Sequence, residues 1–113
     1  MLSKKYLLNS SEFQTLRNKG KLVYKNPLFN VVSLKISNLS GPKFGFVISK
    51  KIDKKAVVRN KIKRQLAESV RLALDNFQKD CYFAFYAKQK IKSVTYEEIS
   101  SLVDKTISKI HIV

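Results

Sequence analysis

The chain reads as an α+β domain, a two-layer sandwich of helices on one central sheet, with elements in the order helix, three strands, helix, strand, helix. Three observations predict it. Apolar residues recur at three- and four-residue spacing in residues 56–77 and again from Ile99 to Ile110. β-Branched and aromatic runs bounded by turn residues fill residues 22–49. A near-continuous apolar run at residues 81–87 separates the two helical stretches, as expected of a strand covered on both faces.

Each element follows from its local residues. Asn9-Ser10-Ser11-Glu12 has the N-cap and N3 chemistry of a capping box, and Phe13, Leu16 and Leu8 give a short helix an apolar side before Gly20. A first helix is predicted over about residues 10–19. Residues 22–24, 28–36 and 44–49 read as strands, separated by Asn26-Pro27 and by Asn38-Leu39-Ser40-Gly41-Pro42. An antiparallel meander is their economical arrangement. In residues 56–77 the stripe Val58, Ile62, Leu66, Ser69 or Val70, Ala73 and Phe77 predicts a long helix laid on a sheet, with Asn60, Lys61, Arg64, Glu68 and Arg71 opposite. At about 100° per residue, Arg59 and Lys63 share the sector of Leu66, Val70 and Phe77, so the first turns should overhang the sheet. Thr95-Tyr96-Glu97-Glu98 opens the last helix, whose buried side is Ile99, Leu102, Val103, Thr106, Ile107 and Ile110.

With 113 residues and 44% apolar content, residues 1–113 form one domain that needs neither disulfides nor metals. The formal charge of +15 exceeds the magnitude of about 2 to 8 that serves solubility. A polyanionic partner is implied. Residues 1–71 carry 17 Lys or Arg against 3 acids, and residues 72–113 carry 6 against 5, so the working surface belongs to the first two thirds. Residues 50–64 alone hold eight cations, Lys50, Lys51, Lys54, Lys55, Arg59, Lys61, Lys63 and Arg64, against Asp53. The lone Cys81 in an apolar run predicts a buried thiol and a reducing cytoplasm. Neither a signal peptide nor an apolar window of about 20 residues is present, so the expectation is a soluble cytoplasmic protein without a membrane role.

Catalysis by the chain itself finds little support. His111 is the only histidine, and with one Cys the usual ligands cannot build a metal site or a thiol protease. The adjacent Glu97 and Glu98 face different directions and suit a helix N-terminus. Three isolated glycines make no phosphate-cradling loop. What remains is a polybasic helix start together with Phe13, Tyr24 and Phe29 in a stretch free of acids, the pairing of phosphate-binding cations and stacking rings expected of a single-stranded nucleic-acid groove.

Gly45-Phe46-Val47-Ile48-Ser49-Lys50-Lys51, followed by Arg59-Asn60-Lys61-Ile62-Lys63-Arg64, resembles the signature of the bacterial ribonuclease P protein subunit. The resemblance continues through Phe13 with its preceding acid, Gly20, Lys43 and the strand ending in Ala87-Lys88. It implies an α-β-β-β-α-β-α domain like the second domain of ribosomal protein S5, with a left-handed βαβ crossover. It also implies a non-catalytic protein subunit that pairs 1:1 with ribonuclease P RNA, the ribozyme that removes the 5′ leader of precursor tRNA using Mg²⁺ bound mainly by the RNA. By position, Lys50, Lys51, Arg59, Asn60, Lys61, Lys63 and Arg64 would contact the catalytic RNA, and Phe13, Arg17, Tyr24, Phe29 and Val32 would line the leader cleft.

Four positions depart from the family pattern. Lys61 stands where Arg is usual, which keeps charge but loses the bidentate fork. Arg17 and Val32 replace aromatics found in relatives, and Ala67 replaces an Arg. The cleft should therefore grip more by charge than by stacking. A ribosomal or assembly protein and a nucleoid DNA binder are the competing classes; the first predicts cofractionation with ribosomal subunits, the second a preference for duplex DNA.

Overall fold

The computed structural model describes residues 2–110, so His111 lies outside the described residues. Helix α1 (Ser10–Lys19) starts at the expected capping box: the Asn9 side chain accepts from the Glu12 N–H at 2.8 Å, and the Glu12 carboxylate accepts from the Asn9 N–H at 2.9 Å. Strands β1 (Lys21–Lys25), β2 (Phe29–Lys35), β3 (Lys43–Val47) and β4 (Cys81–Ala87) make one sheet in the order β1-β2-β4-β3.

β1 and β2 form an antiparallel hairpin, but the expected meander stops there. β4 enters between β2 and β3, antiparallel to the first and parallel to the second. The physical reason is burial. Cys81 to Phe85 are all buried, and a strand with that composition is most stable where both edges are paired and both faces covered. β3, with Lys43 at its start, takes the edge. Helix α2 (Ala56–Leu72) is consequently a crossover joining the parallel strands β3 and β4.

Alternation along the strands divides the apolar residues between two faces. Phe29, Val31, Phe44, Phe46, Phe83 and Phe85 meet Ile62, Leu66 and Val70 of α2 and Ile99 and Val103 of α3 (Tyr96–Lys109). Phe44 stacks on Phe83 with ring centroids 5.5 Å apart, and Phe77 sets its edge against both, at 4.9 and 5.3 Å. On the other face, Leu16, Phe13 and Leu8 pack against Tyr82, Ala84 and Val32. Cys81 has no exposed surface in this core, and burial pushes its thiol pKa up.

α2 ends five residues before the apolar stripe does. A tight turn, Leu74–Asn76, replaces its last predicted turn and still delivers Phe77 to the core, so the sequence period survives a change of helix type. At the other end, Val57 is 78% exposed and the helix buries its first side chain fully only at Ile62. The first turns overhang the sheet, as the cations in the apolar sector require.

Candidate nucleic-acid interface

β3 runs out at Val47 into a tight, well-bonded turn. The Ile52 N–H donates to the Ser49 carbonyl at 2.9 Å, the Lys51 N–H donates to Ser49 Oγ at 3.1 Å, and Ile52 is buried as the anchor. Lys50 and Lys51 are exposed on its outside. Asp53 turns inward: Oδ1 accepts from the Lys55 N–H at 2.8 Å and Oδ2 pairs with Lys92 at 3.0 Å. Those two partners, the backbone N–H first, hold its pKa below the usual aspartate range. The single acid of the basic segment is thereby taken up internally.

α2 begins without a capping side chain and without an acid in its first turn, with Lys55 at the N-cap. Its N-terminal N–H groups and positive dipole end add to the surrounding cations. Asn60, Lys61, Lys63 and Arg64 are exposed beyond them. Arg59 differs from these. Its Nη1 donates to the carbonyls of Asp53 and Lys54, at 3.0 and 2.8 Å, so this cation first fastens the turn to the helix and only its remaining donors face outward. Lys63 and Arg64, with Asn60, rim a groove of about 480 Å³ floored by Leu2, Leu7, Phe46, Val57 and Ala67. Ala67 is buried, and its small side chain helps to keep that groove open.

On the opposite sheet face, the Phe13 ring lies directly on Gly45. A Cβ at Gly45 would stand 2.9 Å from Phe13 Cδ2 and closer still to Cε2, which is why this strand position is a glycine. The Arg17 guanidinium lies over the Phe13 ring, 5.6 Å from its centroid. Phe13, Arg17, Gln14, Asn9, Leu8 and Val47 bound a groove of about 380 Å³ between α1 and the end of β3. Val32, half-buried, belongs to the same face.

Three proposed cleft residues do not line this groove: Val32, which lies on the same face, and Tyr24 and Phe29, which lie on the other. Phe29 has no exposed surface and packs on Phe85 at 5.3 Å, within the core under α2 and α3. Tyr24 pairs with Val31, and its ring packs against that same core. Both alternate away from Val32, on the opposite side of the sheet. Conversely, Leu22, 49% exposed and paired with Val32, and Tyr86, half-buried and paired with Asn30, share the α1 face. The pairing of β4 with β2 brings Tyr86 there. An all-apolar strand conceals its two faces until its partner is known.

Glu12 ties α1 to the sheet. Its Oε2 accepts from Lys43 Nζ at 2.7 Å and lies 3.4 Å from the Tyr82 hydroxyl. Burial pushes the carboxyl pKa up, but the Asn9 N–H, the Lys43 ammonium and the Tyr82 hydroxyl together outweigh it and leave a net lowering. A lowered folded-state pKa contributes stability at neutral pH that is lost as pH falls through the unfolded and then the folded value. Glu12→Gln keeps a capping side chain but removes the charge. It should cost about 0.5 to 1 kcal/mol at pH 7, and the deficit should shrink below about pH 4 in urea melts run at both pH values.

The described residues contain no cluster of three or more His, Cys, Asp or Glu that could hold a metal ion, and no helix long and apolar enough to cross a membrane.

A basic crossover-helix start thus stands at one end of an α+β sheet, and a groove lined by Phe13 and Arg17 lies on the sheet's opposite face. A ribonuclease P family model matches residues 1–111. The ribonuclease P protein component of Bacillus cereus is 34% identical over 99 residues, covering 88% of this chain and 84% of its own length. That of Clostridium novyi is 31% identical over 98 residues, 87% and 86% of the two chains. The Staphylococcus aureus ribonuclease P protein superposes with a TM-score of 0.81 at 25% identity, over 95% of this chain and 98% of that one. The Thermotoga maritima protein shares the fold, with a TM-score of 0.79 at 22% identity over 89% and 93%. The chain belongs to the ribonuclease P protein component family. It is thus a protein subunit of an endoribonuclease ribonucleoprotein, and its partner is ribonuclease P RNA.

Proposed function

We propose that the chain binds the catalytic RNA along the edge formed by Lys50, Lys51, Asn60, Lys61, Lys63 and Arg64, and receives the single-stranded 5′ leader of precursor tRNA in the groove of Phe13 and Arg17, with Val32 on the same sheet face. One observation carries this reading: the groove beside Phe13 ends at Val47, the last residue of β3, and three residues later the turn that follows delivers Lys50 and Lys51 to the basic edge. One short segment serves both sites.

An RNA catalyst and its polyanionic substrate repel each other, and cations between them lower that repulsion. Phosphates would lie on the exposed lysines and on the uncapped start of α2, while a leader base would lie against the Phe13 and Arg17 pair. Arg59 would act chiefly by holding the turn. Mg²⁺ would be held mainly by the RNA and supply the hydrolytic chemistry there; the protein would raise affinity for substrate and metal by screening charge, as one copy per RNA.

The test is reconstitution. Adding the purified protein to ribonuclease P RNA from the same organism at low Mg²⁺ should stimulate cleavage of precursor tRNA above RNA alone; no stimulation would overturn the reading. Phe13→Ala should weaken binding of substrates with long leaders while changing assembly with the RNA less than Arg59→Ala combined with Lys63→Ala. Equal losses in assembly would remove the basic helix from the RNA contact.

A further inference from the structure

Residues 88–92 read Lys-Gln-Lys-Ile-Lys and lie outside the basic segment in sequence, in a part of the chain that is nearly charge-balanced. The fold brings them to it. Lys92 pairs with Asp53 at 3.0 Å, and Gln89 Nε2 donates to the Ile52 carbonyl at 3.2 Å, so two tethers hold this stretch beside the start of α2. Between them runs a groove of about 220 Å³ whose floor is Val57, Val58, Ile62, Ile91 and Val94 and whose rim carries Lys61, Lys92 and Gln65. Lys90 is exposed, with no ion-pair partner among the described residues.

We propose that this groove is a second RNA-binding ledge, continuous with the first, in which an unstacked nucleobase lies against Val57 and Val58 while the flanking phosphates rest on Lys61, Lys90 and Lys92. The inference rests on the reading above and extends it to the last third of the chain, where 6 cations stand against 5 acids. Three features select a nucleotide. The floor is apolar, and Val57 presents 78% of its surface to solvent, which suits the face of a base. The Gln65 amide offers both a donor and an acceptor to a base edge. The rim is cationic, and Asp53 beside it is already occupied by Lys92, whose ammonium keeps donors for a phosphate. An acidic peptide would match the rim but leave the floor uncovered.

The experiment is site-directed photo-crosslinking to ribonuclease P RNA, with a benzophenone placed on Lys90→Cys or, as a control, on Lys63→Cys; Cys81 is buried and does not compete for the label. Both positions should crosslink to RNA, and Lys90→Ala should reduce the slope of log K against log salt by about 0.7 to 0.9. Crosslinking at residue 63 without crosslinking at residue 90 overturns the ledge and leaves the first reading standing. Crosslinking at neither removes the first reading as well. Loss of the residue 90 crosslink to polyglutamate as readily as to unlabelled RNA would mark a site for any polyanion and overturn the nucleotide assignment.

Discussion

Replacing Lys61, Lys63 and Arg64 together by alanine reduces the slope of log K against log salt for ribonuclease P RNA by about 2 to 3. Carried from 1 M salt, where phosphate contacts contribute little, to physiological salt, that change is a roughly 100-fold loss of affinity. The three side chains are exposed, so the variant stays folded, with each substitution changing stability by about 0.5 kcal/mol or less. Binding isotherms at four or five salt concentrations measure it, and an unchanged slope would place the RNA elsewhere. Arg59 behaves differently because its Nη1 bridges two carbonyls of the preceding turn. Arg59→Lys retains the charge and loses that bridge, so it should weaken binding nearly as much as Arg59→Ala. If Lys instead restores affinity, charge alone was the contribution.

Gly45→Ala should disable the leader groove with a single methyl group. The new Cβ occupies the space of the Phe13 ring, which must swing off the sheet and leave Arg17 without its partner. Overpacking of this kind costs about 1 to 3 kcal/mol. Leader-dependent substrate affinity should fall to the level of Phe13→Ala, while affinity for the RNA subunit holds. The two changes share one contact, so they should be strongly non-additive: in a Phe13→Ala background, Gly45→Ala should cost little more. Additive losses would mean that the ring is not what fills this space.

Much of the architecture was legible because it is local. The capping box at Asn9 and Glu12 places the start of α1, and the unbroken run from Cys81 marks β4. Strand partnership is not local. Alternation identifies a strand but not its neighbours, so the meander was the natural expectation and the insertion of β4 between β2 and β3 was not visible. The sidedness of the proposed cleft residues is partly local and partly not. Tyr24 takes its side from β1 pairing with β2 across a bulge, whereas Phe29 and Val32 stand three apart in one strand, so alternation alone puts them on opposite faces. The overhang of α2 was readable from Arg59 and Lys63 within an apolar sector. The inward use of Arg59 and the tether between Asp53 and Lys92 were not, since both need the folded turn.

The central position of β4 also bears on how the chain is made. Until residues 81–87 have been synthesised, β2 and β3 have no strand between them, and Phe29, Phe44 and Phe46 lack the Phe83 and Phe85 rings they pack among. A nascent chain in that condition exposes unpaired edges and aromatic surface, the features that drive association of unfinished proteins. Its first 71 residues carry 17 cations against 3 acids. That imbalance makes half-built copies repel one another. The charge that suits the finished domain to RNA therefore also protects it from its own kind while the sheet waits for its middle strand.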